Sequence, residues 1–297
     1  MLKTYKYSLL VFLGACSYGL IASIIKLAYQ DGFTVGEVIS SQYFFGWIML
    51  LLLSLLFSRK RISIKKSLIL ILAGTSSSFT GMFYGISLKT IPASIAIVLL
   101  FQFTWIGILI ESLVDKRLPS REKILSVVIL LIGTVMASGI IGNSFSTLDM
   151  KGIIFGLLSA ITFSLFIFST GRIEADVPFL NRGALMTTGA LIILMLTFSP
   201  SFLYNGSMAE GLWKYGILLG LLGVVIPISF FAIGSPKTGS GLATILGGAE
   251  LPTAIIASII VLKEYVSFLQ WGGVLLILLG ISVTPIKQLI KSKVKLQ

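Results

Sequence analysis

A single carboxylate interrupts a long apolar stretch in the last third of the 297-residue chain. Residues 243–258 read ATILGGAELPTAIIAS, in which Glu250 is the one charged residue and Pro252 follows two positions later. A carboxylate can bind an ammonium group, exchange a proton or help to ligate a cation. Which of these applies depends on where the surrounding elements place Glu250.

Those elements are predicted to be membrane-spanning helices. The chain is 56% hydrophobic and only 11% charged, with a mean hydropathy of +1.02, whereas soluble domains carry about 25% charged residues. Apolar runs of about 20 residues cross a hydrocarbon core of about 30 Å, and lipid permits only helices there because it offers the backbone no hydrogen-bond partner. The sequence therefore predicts an all-α integral membrane protein with ten transmembrane helices. They are placed near residues 8–28, 36–57, 67–88, 92–112, 122–141, 152–171, 183–202, 212–234, 239–262 and 268–286.

The basic residues predict the orientation of these helices. Most of the 23 Lys and Arg residues fall at the chain ends and in alternate loops, Arg172 and Arg182 among them. This bias predicts a multi-pass protein of the cell (plasma) membrane with both termini cytoplasmic. The net charge of +12 is thereby assigned to topology and to contacts with the lipid bilayer, and no nucleic acid partner is expected.

The composition also excludes several kinds of chemistry. The chain has no histidine and one cysteine, Cys16, so zinc sites built from His and Cys and Ser–His or Cys–His catalytic pairs are excluded. It lacks a Gly-Lys dipeptide and hence a Walker A loop. We expect no enzyme activity, no metal and no cofactor.

A repeat links the two halves of the chain. Lys89-Thr90 and Lys237-Thr238 lie 148 residues apart, and each introduces an apolar helix that ends at a short charged hinge. This offset is half of the chain length and predicts two five-helix repeats, residues 1–145 and 146–297. Because five is odd, the repeats have opposite orientations in the membrane, an architecture typical of secondary transporters.

With these features the chain resembles the drug/metabolite transporter (DMT) superfamily, in particular its EamA branch. The pair Tyr18-Gly19 followed by Lys26 is similar to an aromatic-Gly pair and lysine in the first helix of that family. Glu264 matches the acid that ends the fourth helix of a repeat, whereas the first repeat has Lys116 at the position 148 residues earlier. The resemblance implies a transporter that usually moves its substrate outward.

The 148-residue offset pairs Glu250 with Gln102, and both lie near the bilayer midplane. Equivalent midplane positions of inverted repeats face each other where transporters bind substrate. A central carboxylate costs about 2.5–3.5 kcal/mol unless it faces the bundle interior or a wet cavity. Trp105 shares a helix face with Gln102, and Pro252 weakens the helix beside Glu250. We therefore predict that Glu250, Gln102 and Trp105 bind substrate.

Further residues complete the predicted site. Tyr18 and Tyr84 are expected to point aromatic rings inward, and Pro227 is expected to kink the eighth helix as a gating bend. Lys26 is predicted to pair with a substrate carboxylate or hold an outer gate, with snorkelling to the interface as the alternative. A purely structural role for Glu250 and helix packing by Trp105 stay open. Glu111 is expected to be interfacial.

The sequence thus predicts a secondary transporter that exports a small metabolite, such as an amino acid, by alternating access. Two alternatives remain: proton-coupled efflux of cationic or lipophilic compounds, and a lipid-carrier flippase. Glu250 is the candidate for proton coupling, because burial disfavours the charged form of a carboxyl group. The expected partners are a small-molecule substrate, the lipid bilayer and protons, and both a monomer and a homodimer fit the sequence.

Overall fold

The structure is a computed structural model that describes residues 2–58, 60–91, 93–137, 149–263 and 265–294. These residues form helices joined by turns, which confirms the all-α prediction. The α-helices are α1 Leu2–Gln30, α2 Val35–Phe57, α3 Ile64–Thr90, α4 Ala93–Leu100, α5 Phe103–Asp115, α6 Arg121–Ala137, α7 Met150–Arg172, α8 Phe179–Phe198, α9 Trp213–Gly220, α10 Ile226–Thr238, α11 Ser240–Gly247, α12 Glu250–Ala257 and α13 Phe268–Val294.

Eight stretches of the described chain are long and apolar enough to cross a membrane. Helices α6 and α13 lie where the sequence predicts the fifth and tenth spans, and the apolar part of α13, Phe268–Thr284, is shorter than the eight stretches. The eighth span includes a π-helical turn at Leu221–Val225 that joins α9 to α10, and the backbone before α9 is kinked at Gly211, where φ is 112°. We call the membrane face that carries both chain ends the terminal face and the opposite face the distal face.

The outer surface of the bundle is apolar. Large side chains such as Leu56, Leu196 and Leu275 expose more than half of their area. Such a surface would drive aggregation in water, whereas lipid tails solvate it without cost. The polar groups of the spans therefore need partners, or a cavity, inside the bundle.

The fourth and ninth spans are each broken at mid-depth. Helix α4 ends at Leu100 and α5 begins at Phe103, while α11 ends at Gly247 and α12 begins at Glu250. Within each break a backbone amide bonds the carbonyl three residues back, at 3.2 and 3.1 Å, which is the tighter spacing of a 3₁₀ turn. Discontinuous spans of this kind are where transporters place their binding groups.

The two broken spans are related by an offset of 147 residues. Both end in a lysine with left-handed backbone, with φ of 51° at Lys116 and 55° at Lys263. The sequence comparison gave 148 because it was anchored on the Lys-Thr pairs that end α3 and α10. The segment from Thr90 to Phe103 is one residue longer than the segment from Thr238 to Glu250.

The predicted equivalence of Glu250 with Gln102 is therefore wrong by one position. Glu250 corresponds to Phe103, since each is the first residue after its break. Likewise Lys116 corresponds to Lys263 and not to Glu264, which lies outside the described residues. One extra residue before the break shifts the equivalence of every later side chain by one position, which is 100° around a helix.

The fifth and tenth spans pack against each other through small residues. Gly133 of α6 lies so close to the Gly273 carbonyl of α13 that an added Cβ would be 2.9 Å from its oxygen. The hydroxyls of Ser126 and Thr284 are 2.9 Å apart, and the contact related to it by the 147-residue offset is that of Gly273 with Ala137. The repeats thus meet here in a self-complementary, pseudo-two-fold contact.

Candidate functional site

A cavity of about 370 Å³ enters the bundle from the distal face. Residues of both repeats line it, contributed by α1, α2, α3 and the fourth span on one side and by α7, α12 and α13 on the other. Its mouth is marked by Lys26 and Tyr265, both exposed. Its inner end reaches Phe101 and Phe163, which are buried.

Glu250 lies in this cavity as the first residue of α12. Its side chain is half-buried, and no residue in the described part of the chain donates a hydrogen bond or ion pair to its carboxyl group. A half-buried carboxyl group without a protein partner is costly in a membrane interior. A bound ligand, water or a proton can satisfy it.

Gly19 positions the first helix against Glu250. An added Cβ at Gly19 would lie 2.3 Å from the backbone carbonyl oxygen of Glu250 and 2.7 Å from the Cβ of Thr253. Only glycine lets α1 and α12 approach this closely. The close approach places the neighbouring Tyr18 in the cavity, where its ring contacts Phe163 at 5.7 Å between centroids.

Tyr84 of α3 also lines the cavity, as the sequence predicts for its ring. Sequence reasoning missed Gln42 and Tyr43 of α2, which also line the cavity. The hydroxyl of Tyr43 donates to the Ser77 carbonyl of α3 at 3.0 Å. The run Ser-Ser-Gln-Tyr within an otherwise apolar helix was the signal that could have identified them.

Lys26 lies at the distal end of α1 and lines the mouth of the cavity. Gln270 and Tyr265 line the same mouth from the beginning of α13 and the turn before it. Of the predicted binding residues, the structure therefore brings Glu250, Tyr18, Tyr84 and Lys26 around one space.

Gln102 and Trp105 lie elsewhere. Neither is among the residues that line the cavity, and the Trp105 side chain is 40% exposed on the outer surface of the bundle. The indole N–H of Trp105 donates to the Gln102 side-chain oxygen at 2.8 Å, while the Gln102 amide donates to the Val98 carbonyl at 2.9 Å. The pair satisfies its own polar groups on the lipid side, which corrects the expectation that it shares the cavity with Glu250.

Aromatic rings close the cavity towards the terminal face. Phe103 packs against Phe163 and Phe101, with ring centroids 4.8 and 5.4 Å apart. Gly247 leaves room for the Phe103 ring, because an added Cβ there would be 3.2 Å from it. This aromatic floor separates Glu250 from the terminal face.

The two prolines lie beside irregular turns. Pro252 is buried in the first turn of α12, directly after the break, where a missing amide hydrogen costs least. Pro227 follows a π-helical turn, and its missing N–H leaves the Leu222 carbonyl without a backbone donor. The Ser17 hydroxyl of α1 donates to that carbonyl at 2.6 Å.

Both halves of the chain match one transporter family. Residues 5–139 and 150–284 each match the EamA-like transporter family. The chain belongs to this family. As an EamA-like protein it is a membrane transporter of the drug/metabolite type built from two repeats, as the sequence predicts, and the family points to a transporter rather than an enzyme.

Two individual proteins are also similar to this EamA-like chain. A protein named Crt homolog 2 from Dictyostelium discoideum is 30% identical over 109 residues, which are 37% of this chain and 22% of that protein. The matched segment thus spans about a fifth of that relative. A solved crystal structure shares the fold with a TM-score of 0.74 over 94% of this chain and 98% of its own, at 18% identity.

Proposed function

We propose that this EamA-like protein is a secondary transporter that exports a small metabolite, such as an amino acid, by alternating access. The observation that carries the proposal is the Glu250 carboxyl group, which has no partner among the described residues and lies in a cavity between the repeats. We place the protein in the plasma membrane with its terminal face in the cytoplasm, because that face carries most of the basic residues.

The cavity suits a zwitterion. Glu250 would bind an ammonium group, and the faces of Tyr18 and Tyr84 add cation–π attraction to that positive charge. Lys26 at the mouth would attract the substrate carboxylate. A volume of about 370 Å³ is within the range of pockets that hold one small ligand.

Glu250 also suits exchange of a proton for substrate. A proton and an ammonium group compete for the same carboxyl group, so binding one releases the other. Inward movement of protons would then drive outward movement of the metabolite. The competing mechanism is facilitated diffusion, in which Glu250 stays neutral and donates a hydrogen bond to the substrate.

The second candidate function is proton-coupled efflux of cationic or lipophilic compounds. The same carboxyl group and the aromatic rings of Tyr18, Tyr84 and Phe163 favour it. Lys26 discriminates the two functions, because a zwitterion gains from a second, positive partner whereas a cation is repelled by it. Lys26→Met should weaken transport of an amino acid and leave or improve transport of an organic cation.

The proposal is tested by counterflow in proteoliposomes. Vesicles are loaded with a mixture of the standard amino acids, and uptake of isotope-labelled amino acids is followed by mass spectrometry. We expect wild-type protein to accumulate at least one labelled amino acid above protein-free vesicles, and Lys26→Met to reduce this uptake. Counterflow of tetraphenylphosphonium but of no amino acid would replace the first proposal with the second.

A further inference from the structure

A second, smaller pocket of about 250 Å³ opens on the terminal face between α5 and α6. Its polar lining includes Glu111 and Asp115 of α5 and Lys123 of α6, and the turn between the helices completes it. The aromatic floor and the beginning of α11 lie between this pocket and the Glu250 cavity.

The 147-residue offset relates this pocket to the mouth of the large cavity. Four residues that line the terminal pocket have counterparts 147 residues later that line the large cavity. The pairs are Ile108 with Ile255, Glu111 with Ser258, Leu118 with Tyr265 and Lys123 with Gln270. In an inverted repeat, two regions related in this way are the two ends of one path. The terminal pocket is therefore the counterpart of the distal mouth.

Glu111 closes the terminal end. One of its carboxylate oxygens accepts hydrogen bonds from the Gly241 amide at 2.9 Å and the Ser240 hydroxyl at 3.3 Å. The other forms an ion pair with Lys123. Glu111 thus joins α5 and α6 of the first repeat to the beginning of α11 in the second, where the helix dipole favours an anion.

Two further features show how tightly this contact is built. Gly241 has no room for a side chain, because an added Cβ would overlap the Glu111 carboxylate. The side chains of Glu111 and Lys123 are only 12% and 22% exposed, so water screens their attraction less than it screens a surface pair.

At the distal mouth the two positions that correspond to the ion pair are uncharged. Its counterparts of Glu111 and Lys123 are Ser258 and Gln270, and the Gln270 amide donates to the Ala137 carbonyl at 3.3 Å. The open distal mouth thus has uncharged side chains at the two positions where the closed terminal end has its ion pair.

We propose that Glu111, Lys123 and the Gly241 amide form the terminal-face gate of the transport path, and that the terminal pocket is the vestibule outside it. The inference rests on the proposed alternating-access function. Opening requires Glu111 to release α11, which separates α5 from α11 and joins the vestibule to the cavity. Because α11 is eight residues long and only the two-residue break separates it from Glu250, movement at the gate reaches the binding carboxyl group through one short helix and one turn.

Accessibility of single cysteines tests the gate without any substrate. In a Cys16→Ser background, Thr244→Cys reports on the terminal side, since Thr244 is buried in α11 and packs against Gly107 of α5. Ser258→Cys reports on the distal mouth. A membrane-impermeant maleimide is added to either face of oriented vesicles, and the labelling rates are measured.

Glu111→Gln should raise the labelling rate of Thr244→Cys from the terminal face by about tenfold, the population shift that 1.4 kcal/mol produces, and should lower that of Ser258→Cys. Lys123→Gln, which copies the distal residue, should shift both rates in the same directions and tests the gate if Glu111→Gln does not fold. Asp176→Asn is the matched control, because it removes an exposed pair with Lys66 on the same face and should change neither rate.

Unchanged labelling in both gate variants would overturn the gate. This outcome is separate from failure of the transport proposal, which amino-acid counterflow by the wild-type protein decides. Equal shifts in the Asp176→Asn control would show a general loosening of the terminal face and would equally overturn a specific role for Glu111.

Discussion

The fourth and ninth spans have the same backbone and opposite chemistry. Each is two short helices separated by one turn, and each ends in a left-handed lysine. Directly after the break, however, the fourth span has Phe103, which is fully buried, and the ninth has Glu250, which faces the cavity. The repeat preserves the irregular backbone, while one copy supplies the aromatic floor and the other supplies the polar group.

The backbone carbonyls of Phe103 and Glu250 also have different neighbours. The Phe103 carbonyl accepts a hydrogen bond from the Ser164 hydroxyl of α7 at 3.1 Å. The Glu250 carbonyl instead meets Gly19 of α1 in direct backbone contact. The ninth span is therefore held close to the first helix at the residue whose carboxyl group faces the cavity.

Placing a glutamate after both breaks should have the largest effect on the stability of the protein. In Phe103→Glu the loss of a buried aromatic side chain should destabilise the protein by about 3–5 kcal/mol. The new carboxyl group lies where the rings leave no cavity, and its burial costs about 2.5–3.5 kcal/mol more on insertion scales. We expect no folded protein in detergent by size-exclusion chromatography. Phe103→Leu is the control and should yield folded protein, and a stable Phe103→Glu variant would contradict the role of the floor as a packed barrier.

The second-largest loss of stability is expected from a substitution at Gly19, where α1 contacts α12 most closely. In Gly19→Ala the added methyl group meets a backbone carbonyl that cannot rotate away, so overpacking should destabilise the protein by about 1–3 kcal/mol. The control is Gly171→Ala in α7, where an added Cβ finds its nearest neighbour at an ordinary 3.5 Å. Thermal unfolding in detergent measures both, and equal melting temperatures would show that α1 and α12 can move apart freely.

Glu250→Gln isolates the titrating group of the ninth span. It keeps the shape of a neutral carboxyl group and removes the exchangeable proton. A pH gradient of one unit can accumulate substrate by up to about tenfold when one proton is exchanged, and the variant should lose this accumulation while retaining counterflow. Glu210→Gln on the exposed distal face is the control. If wild-type transport ignores an imposed pH gradient, the coupling role of Glu250 fails.

The sequence was sufficient for the architecture because lipid imposes it. Unbroken apolar runs predicted the helices and the Lys-Thr pairs predicted the repeat, while Glu250, Tyr18, Tyr84 and Lys26 were correctly predicted to lie around one cavity. The breaks at Gln102 and Ala249 carry no proline or glycine pattern common to both, so neither the breaks nor the 147-residue register could be derived. Glu111 looked interfacial because its partner Gly241 is 130 residues away and depends on tertiary packing.

Arg182 shows the same limit. Its position beside a loop predicted a residue at the membrane surface, yet the side chain is 1% exposed. Its guanidinium donates to the carbonyls of Thr170 and Ala232. The Ala232 carbonyl needs such a donor because residue 236, which would supply the amide in a regular helix, is Pro236. Only the tertiary structure brings the arginine to the carbonyl that the proline leaves open.

The smallest expected effect is that of Trp105→Ala in the fourth span. Its helix position suggested an aromatic wall, and loss of such a wall would weaken binding by about 1 kcal/mol, or roughly fivefold. In the structure the indole faces lipid and bonds Gln102, so its loss leaves the cavity intact. We expect the apparent substrate affinity to stay within about twofold of wild type, against a clear loss for Tyr18→Ala, in the same counterflow assay. A loss in Trp105→Ala as large as in Tyr18→Ala would mean that the fourth span turns its indole inward during transport, and the two broken helices would then share one binding face.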